Sequence, residues 1–379
     1  MHLKPRYITD IRKIDAIPEE QRQKMTAITD KFVFRVNDYY LSLIDWDDPD
    51  DPIHKLIIPS DTELEEYGKW DASDEHLNYA APGCQHKYAT TALLLVSEVC
   101  GAYCRFCFRK RLFRNDVHEA SLDVAPGVEY IAKHPEINNV LLTGGDSLIL
   151  ATRKIRGILE RLREIPHVKI IRFGSKLPSF NPMRIYNDPE LLDTLSEFSR
   201  PDARIHVMAH FNHPRELTEH AYKAIDALQR AGVVVINQTP VLKGINDDPK
   251  VLAELLDKLS WAGATPYYFF QNRPVAGNSS FVLTFKEAYQ TIEQAKALTS
   301  GLGKRVRYAM SHTSGKIEIL AVEGDQIYLK YHQARHPDYY GRFMKFDLPE
   351  NAAWFDDLPG AKEFLQEQEQ GLQQEAMQG

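Results

Sequence analysis

The stretch Ala92-Leu93-Leu94-Leu95-Val96-Ser97-Glu98-Val99-Cys100-Gly101-Ala102-Tyr103-Cys104-Arg105-Phe106-Cys107 joins a short apolar run to a loop that holds three of the chain's four cysteines. A short, near-continuous apolar run bounded by polar residues reads as a strand buried on both faces, and such strands belong to parallel sheets. Five more runs follow at helix-sized intervals: Asn139–Thr143, Val168–Phe173, Arg204–Phe211, Val233–Gln238 and Pro266–Phe270. Between them Leu252, Leu255, Leu256 and Leu259 repeat at i, i+3, i+4, i+7, as do Ala221, Ala224, Ile225 and Leu228, with Gly232 placed as a helix stop. Six β/α units predict a parallel sheet, either doubly wound or rolled into a barrel. Polar residues follow almost every strand, including Thr143-Gly144-Gly145-Asp146, Gly174-Ser175, His210 with Asn212 and His213, Asn237-Gln238 and Gln271-Asn272-Arg273. Side chains from many strands converge at one face of a barrel, which favours an α/β fold with a full or partial (β/α)6 TIM-like barrel.

Outward from this core, residues 1–88 form an N-terminal region with little strand-like alternation, expected to be mainly helical. Its acidic run Asp45-Trp46-Asp47-Asp48-Pro49-Asp50-Asp51-Pro52 favours a turn. The barrel is assigned to 89–300. A β-rich region, 301–360, contains Lys316–Val322 and Gln326–Tyr331 around the turn Glu323-Gly324-Asp325, and a Gln/Glu-rich tail, 361–379, reads as a frayed helix or disorder.

The chain of 379 residues is 43% hydrophobic and carries 46 basic against 53 acidic residues, a formal charge of -7, so it lacks the footprint of a nucleic-acid binder. No apolar stretch approaches the length that spans a bilayer, and Met1-His2-Leu3-Lys4-Pro5 has no signal-peptide core. Few cysteines, clustered rather than dispersed, fit a reducing compartment, and a cytoplasmic protein is expected.

Cys100, Cys104 and Cys107 on one loop can hold three irons of a [4Fe–4S] cluster and leave the fourth open to a ligand. A zinc site and three unrelated core cysteines are the alternatives. With its C-x3-C-x2-C loop after the first barrel strand, the chain resembles the radical S-adenosylmethionine (SAM) superfamily. There the open iron chelates SAM, and reductive cleavage gives a 5′-deoxyadenosyl radical. A closer resemblance, to the lysine 2,3-aminomutase family, rests on Tyr39-Tyr40, Leu43-Ile44-Asp45, Asp48-Pro49, Tyr103-Cys104-Arg105, Arg109, Leu141-Leu142-Thr143-Gly144-Gly145-Asp146, His210-Phe211-Asn212-His213-Pro214, Asn237-Gln238 and Pro266-Tyr267-Tyr268.

That resemblance implies a radical SAM barrel, migration of an amino group on an amino-acid substrate, and pyridoxal 5′-phosphate (PLP) held on a lysine. Lys316, in Ser311-His312-Thr313-Ser314-Gly315-Lys316, occupies the matching place, with one glycine where the family has a run. Tyr88 is retained near PLP, whereas the basic positions around it have become Lys87 and Thr91. Gly144, Gly145 and Asp146 are implied contacts to SAM, and His213, Asn237 and Gln238 implied lining of the shared cavity. A satisfied core histidine is the plainer reading of His213, and buried polar strand ends that of Asn237 and Gln238. Arg109 matches the arginine that takes the substrate carboxylate, while Lys110, Arg111 and Arg114 read as a solvated or anion-facing cluster.

Lysine-specific members present aspartates to the distal ammonium. Here Gln271-Asn272-Arg273 and Tyr308-Ala309-Met310 stand at those places, and Arg273 favours a distal carboxylate, with glutamate the best single substrate. The resemblance also implies an electron donor such as flavodoxin or ferredoxin, and it is compatible with a homo-oligomer. Two rivals remain: a PLP-free radical SAM enzyme on the same scaffold, and a non-catalytic iron–sulfur or zinc-binding protein.

Overall fold

The computed structural model describes residues 4–114, 117, 119–120 and 123–378. The Met1-His2-Leu3 start and Gly379 lie outside these. Twelve strands form one sheet in strict chain order: β1 Tyr79–Ala81, β2 Cys84–Tyr88, β3 Thr91–Ser97, β4 Asn139–Gly144, β5 Ile170–Ser175, β6 Ile205–Ala209, β7 Val234–Pro240, β8 Thr265–Phe270, β9 Arg307–His312, β10 Gly315–Glu323, β11 Gln326–Ala334 and β12 Phe343–Asp347. β3 to β9 run parallel, and the pairs at either end are antiparallel.

Six helices connect the parallel strands: α1 Ala125–Ala132, α2 Thr152–Arg163, α3 Pro189–Phe198, α4 Glu219–Arg230, α5 Pro249–Trp261 and α6 Phe285–Leu298. A doubly wound sheet needs a reversal of strand order, and none occurs. Sequential right-handed crossovers place the helices on one face, so the other face must curl inward. The pleat sorts the side chains accordingly. Leu94, Leu142, Phe173, Val207 and Val235 are register neighbours packed in the core, whereas Leu93, Leu141, Arg172, Met208 and Gln238 line a central cavity.

The curl does not close, so the full-barrel alternative is replaced by an open partial barrel. Its gap is bridged by side chains and not by a ladder. Lys87 on β2 donates to the His312 carbonyl at the end of β9, Ser73 Oγ donates to Ser311 O at 3.1 Å, and Arg335 donates to Leu77 O at 3.3 Å. The segment before residue 89 thus contributes sheet as well as helix, because β2 pairs with β3 along the open edge. Two further differences concern segments that carry weak periodicity. β9 is a seventh parallel strand, and the tail forms α7, Ala361–Gln378, anchored by Ala361 and Gln368. The acidic run behaves as expected up to its end, where Asp51 caps a helix over Pro52–Ile57 by accepting from His54 N at 2.7 Å. Among the described residues no helix is long and apolar enough to cross a membrane.

The N-terminal region grips the cysteine loop. Tyr103 N donates to Arg35 O at 2.9 Å and Arg105 N to Leu56 O at 2.8 Å. The Arg105 guanidinium forks onto Glu63 at 2.8 and 2.7 Å, and Lys110 reaches the same carboxylate at 3.3 Å. The Glu63 side chain is 1% exposed and that of Arg105 3%, so Glu63→Ala leaves two buried cations without their counter-charge. Chemical denaturation should show a loss of about 3–5 kcal/mol, and a loss under about 1 kcal/mol would mean that water reaches the pair.

Candidate active site

The concave face of the sheet encloses a cavity of about 390 Å³ lined at one end by Cys100, Cys104 and Cys107 and elsewhere by Lys316, Lys87, Tyr88, Arg172 and Arg273. The three predicted thiols and the predicted lysine therefore share one space, although more than 200 positions separate them. Cys84 is buried in the sheet–helix core and does not line this space.

Burial pushes all three loop thiols up. Positive charge opposes this: Lys176 acts on Cys104, and Lys110, Arg109 and Arg111 act on Cys107. A thiolate donor set surrounded by cations fits an iron–sulfur cluster. Among the described residues no three His, Cys, Asp or Glu side chains converge closely enough for a single metal ion. Lys176 is itself buried against Glu216, whose Oε1 also accepts from Tyr40 and from Ser179 at 2.7 Å.

Lys316 projects from β10 into the cavity, with Nζ 4.4 Å from the Tyr268 ring centre. Burial first, then Arg172, Arg273 and Lys87, lower its pKa to about 7. Lys87 is likewise lowered to about 7, chiefly by burial. No carboxylate pairs with Lys316 among the described residues, so the amine sits among cations and is about half unprotonated near neutrality. An aldehyde-bearing dianion fits such a setting, because it supplies both an electrophile for the amine and a counter-charge for its neighbours. Ser314 does not face this group, since its hydroxyl is taken by His312 at 2.8 Å and Tyr331 at 2.9 Å.

Gly144, Gly145 and Asp146 line the cavity with the cysteines and have structural work as well. Gly144 has φ +111 and Gly145 faces backbone: a Cβ on Gly145 would meet Val99 O at 2.5 Å. The glycine pair thus lets the strand end pack against the segment entering the cysteine loop, with Asp146 N donating to Val99 O at 2.8 Å. The Asp146 carboxylate ties β4 to β5, accepting from Leu148 N, Ser175 Oγ, Lys176 N and Leu177 N at 2.7–3.1 Å. Burial outweighs these donors and raises its pKa to about 6. Gln238 lines the cavity; His213 and Asn237 do not. His213 caps a turn through Arg215 N, and Asn237 holds the Phe211 backbone on the helix side. These two match the plainer readings, in which polar side chains satisfy buried backbone.

The basic cluster is also corrected. Lys110 and Arg111 are buried ion-pair members, because Arg111 meets Glu75 at 2.7 Å and Glu119 at 2.8 Å. Arg109 lines the cavity with one edge filled: Nε and NH2 donate to Glu75 at 3.0 and 2.9 Å, and NH1 donates to Thr143 Oγ1 at 2.9 Å. Paired guanidinia hold the Glu75 carboxyl well below its usual range against burial. Glu75, Glu63 and Arg172 were missed by motif reading. Arg172, a cation inside Ile170-Ile171-Arg172-Phe173, carried a signal of its own, and the run of bases at 105–114 called for buried acids somewhere.

Reductive amination of Lys316 with pyridoxal should rise with pH around a midpoint near 7, since the reactive form is the unprotonated amine. A midpoint near the ordinary lysine value, read by peptide mass spectrometry, would contradict this environment. Gly145→Ala should cost roughly 1–3 kcal/mol by overpacking and lower the iron retained after anaerobic reconstitution. Wild-type iron content in that variant would separate the glycine from the loop.

The radical SAM superfamily model matches residues 94–256. A protein of Aquifex aeolicus, provisionally named L-lysine 2,3-aminomutase, is 52% identical over 358 residues, covering 94% of this chain and 96% of that protein. L-lysine 2,3-aminomutase of Clostridium subterminale is 33% identical over 78% of this chain and 70% of its own length. Glutamate 2,3-aminomutase of Clostridioides difficile is 33% identical over the same shares. With a relative of this identity spanning nearly the whole of both chains, and with the cysteine loop inside the superfamily match, the chain belongs to the lysine 2,3-aminomutase family of the radical SAM superfamily.

Proposed function

We propose that the chain is an amino-acid 2,3-aminomutase that carries a [4Fe–4S] cluster on Cys100, Cys104 and Cys107, binds SAM beside it and holds PLP on Lys316. The observation that carries this reading is the single cavity into which both the cysteine loop and an unpaired, half-buried lysine open. When bound, cluster and SAM supply a hydrogen-abstracting radical, and PLP supplies an aldehyde and an electron-accepting ring.

The chain's own residues prepare that space. Lys316 presents a substantial unprotonated fraction of its amine at neutral pH. Lys87 and Arg172 place positive charge around it, and Arg172 keeps its orientation through Nε to Asn139 Oδ1 at 2.8 Å. Arg109 is fixed by Glu75 and Thr143, and the one N–H left on each terminal nitrogen is offered to the α-carboxylate. Arg273 stacks over Phe108 at 4.0 Å and has no hydrogen-bonded acid among the described residues, which favours a substrate with a distal carboxylate over lysine. Glutamate fits best, and an electron-donor protein such as flavodoxin or ferredoxin supplies the reductant.

Anaerobically reconstituted protein with SAM and dithionite should form 5′-deoxyadenosine, and Cys100→Ala, Cys104→Ala or Cys107→Ala should each abolish it. Borohydride should fix PLP on Lys316, with no label in Lys316→Ala. SAM cleavage without a lysine adduct transfers the assignment to a PLP-free enzyme. No cleavage at all transfers it to a metal-binding protein.

A further inference from the structure

The turn ahead of Lys316 bonds to itself and to β11. Ser314 N donates to His312 Nδ1 at 3.2 Å, the Ser314 hydroxyl is taken by His312 and Tyr331, and a Cβ on Gly315 would meet Gln333 O at 2.4 Å. The single glycine therefore serves the packing of β10 on β11, and the turn is not the open nest of backbone N–H groups that a run of glycines can offer an anion. A phosphate near Lys316 needs other donors.

Two stand close by. Ser311 and Lys316 are register partners on β9 and β10, and both line the cavity. Such partners lie about 4.5–5.5 Å apart at Cβ. The Ser311 carbonyl is bonded to Ser73, while its hydroxyl makes no hydrogen bond among the described residues. Arg172 lines the same cavity from β5, and of the cations around Lys316 it exerts the largest effect on the amine. Its Nε donates to Asn139 Oδ1 at 2.8 Å, and its terminal nitrogens meet neither an acid nor another acceptor among the described residues. Asn139 is the register partner of Thr91, and both line the cavity. The guanidinium is thus tethered beside the position where the family has a base and this chain has Thr. A guanidinium held by one edge, with the other free, matches the oxygens of a phosphate.

In PLP the phosphate hangs by one methylene from the ring carbon next to the one that bears the aldehyde, so a ring bound at Lys316 keeps its phosphate within a side chain's reach of Nζ. We propose that Arg172, seconded by the Ser311 hydroxyl, binds the phosphate of PLP in place of a glycine-rich turn. The inference rests on the PLP assignment above and names the residues that recognise the phosphate.

The test compares PLP with pyridoxal, which lacks the phosphate. Each is titrated into anaerobic protein, trapped on Lys316 with borohydride and counted by peptide mass spectrometry. Both aldehydes need the same free amine, so the ratio of their half-saturating concentrations is insensitive to its protonation. Wild type should prefer PLP at least about tenfold, Arg172→Gln should lose at least about fivefold of that preference and Ser311→Ala about twofold, and Arg172→Lys should keep part of it. The thermal midpoint of Arg172→Gln should equal or exceed that of wild type, because a buried cation without a partner is removed. Inorganic phosphate should slow reductive methylation of Lys316 by formaldehyde in wild type and not in Arg172→Gln. An unchanged preference in Arg172→Gln, or wild type that takes pyridoxal as well as PLP, overturns the proposal and leaves the lysine assignment standing. If wild-type Lys316 traps neither aldehyde, the PLP reading falls; protection by phosphate that depends on Arg172 then still supports the anion site, and its absence overturns that too.

Discussion

One buried carboxylate, Glu63, organises the cluster end of this protein. It receives Arg105 through two charge-assisted bonds and Lys110 through a third, and Arg105 gives two more donors to Val33 O and Phe32 O. Arg105 sits between Cys104 and Cys107. Whatever fixes its guanidinium therefore fixes the loop on which the thiols stand, and the fixing group comes from outside the β/α core. The other side of the loop is set by backbone contact, where Gly144 and Gly145 abut Ser97 and Val99. A loop held from both sides presents its thiols with little freedom, which is the preorganisation a multi-iron ligand set needs.

Charge balance explains the rest of the cavity. Lys176 is matched by Glu216, and Arg109 and Arg111 share Glu75, so cations near the cysteines are already compensated. Toward Lys316 the balance is left incomplete: Lys87, Arg172 and Arg273 face the amine without dedicated acids. Leaving cations unpaired in a buried site lowers stability, and the depressed lysine is the visible result. The same imbalance favours an anion at this end of the cavity.

The open barrel adds a mechanical consequence. Lys87 and Ser73 belong to one flank of the gap, and the His312 and Ser311 carbonyls to the other. Three side-chain contacts, each of modest net strength, close the side of the cavity beside Lys316. In a complete ladder the flanks would be joined by backbone.

The sequence by itself determined what depends on local pattern. Near-continuous apolar runs and i, i+3, i+4 helices set the β/α alternation, and three cysteines on one loop marked the candidate cluster site, because periodicity and spacing are properties of neighbouring residues. Lys316 was legible only through resemblance, since nothing local distinguishes it from a hairpin surface lysine. Tertiary structure decided the remainder. Whether the sheet closes depends on curvature summed over seven parallel strands. The pairing of Arg105 with Glu63 and of Arg109 with Glu75 spans 42 and 34 positions, and such separations leave no periodic trace. His213 and Asn237 sit at strand ends in the sequence pattern, yet their side chains turn to unsatisfied backbone. A buried polar group bonds to what lies nearest in space, and only the fold establishes which groups those are.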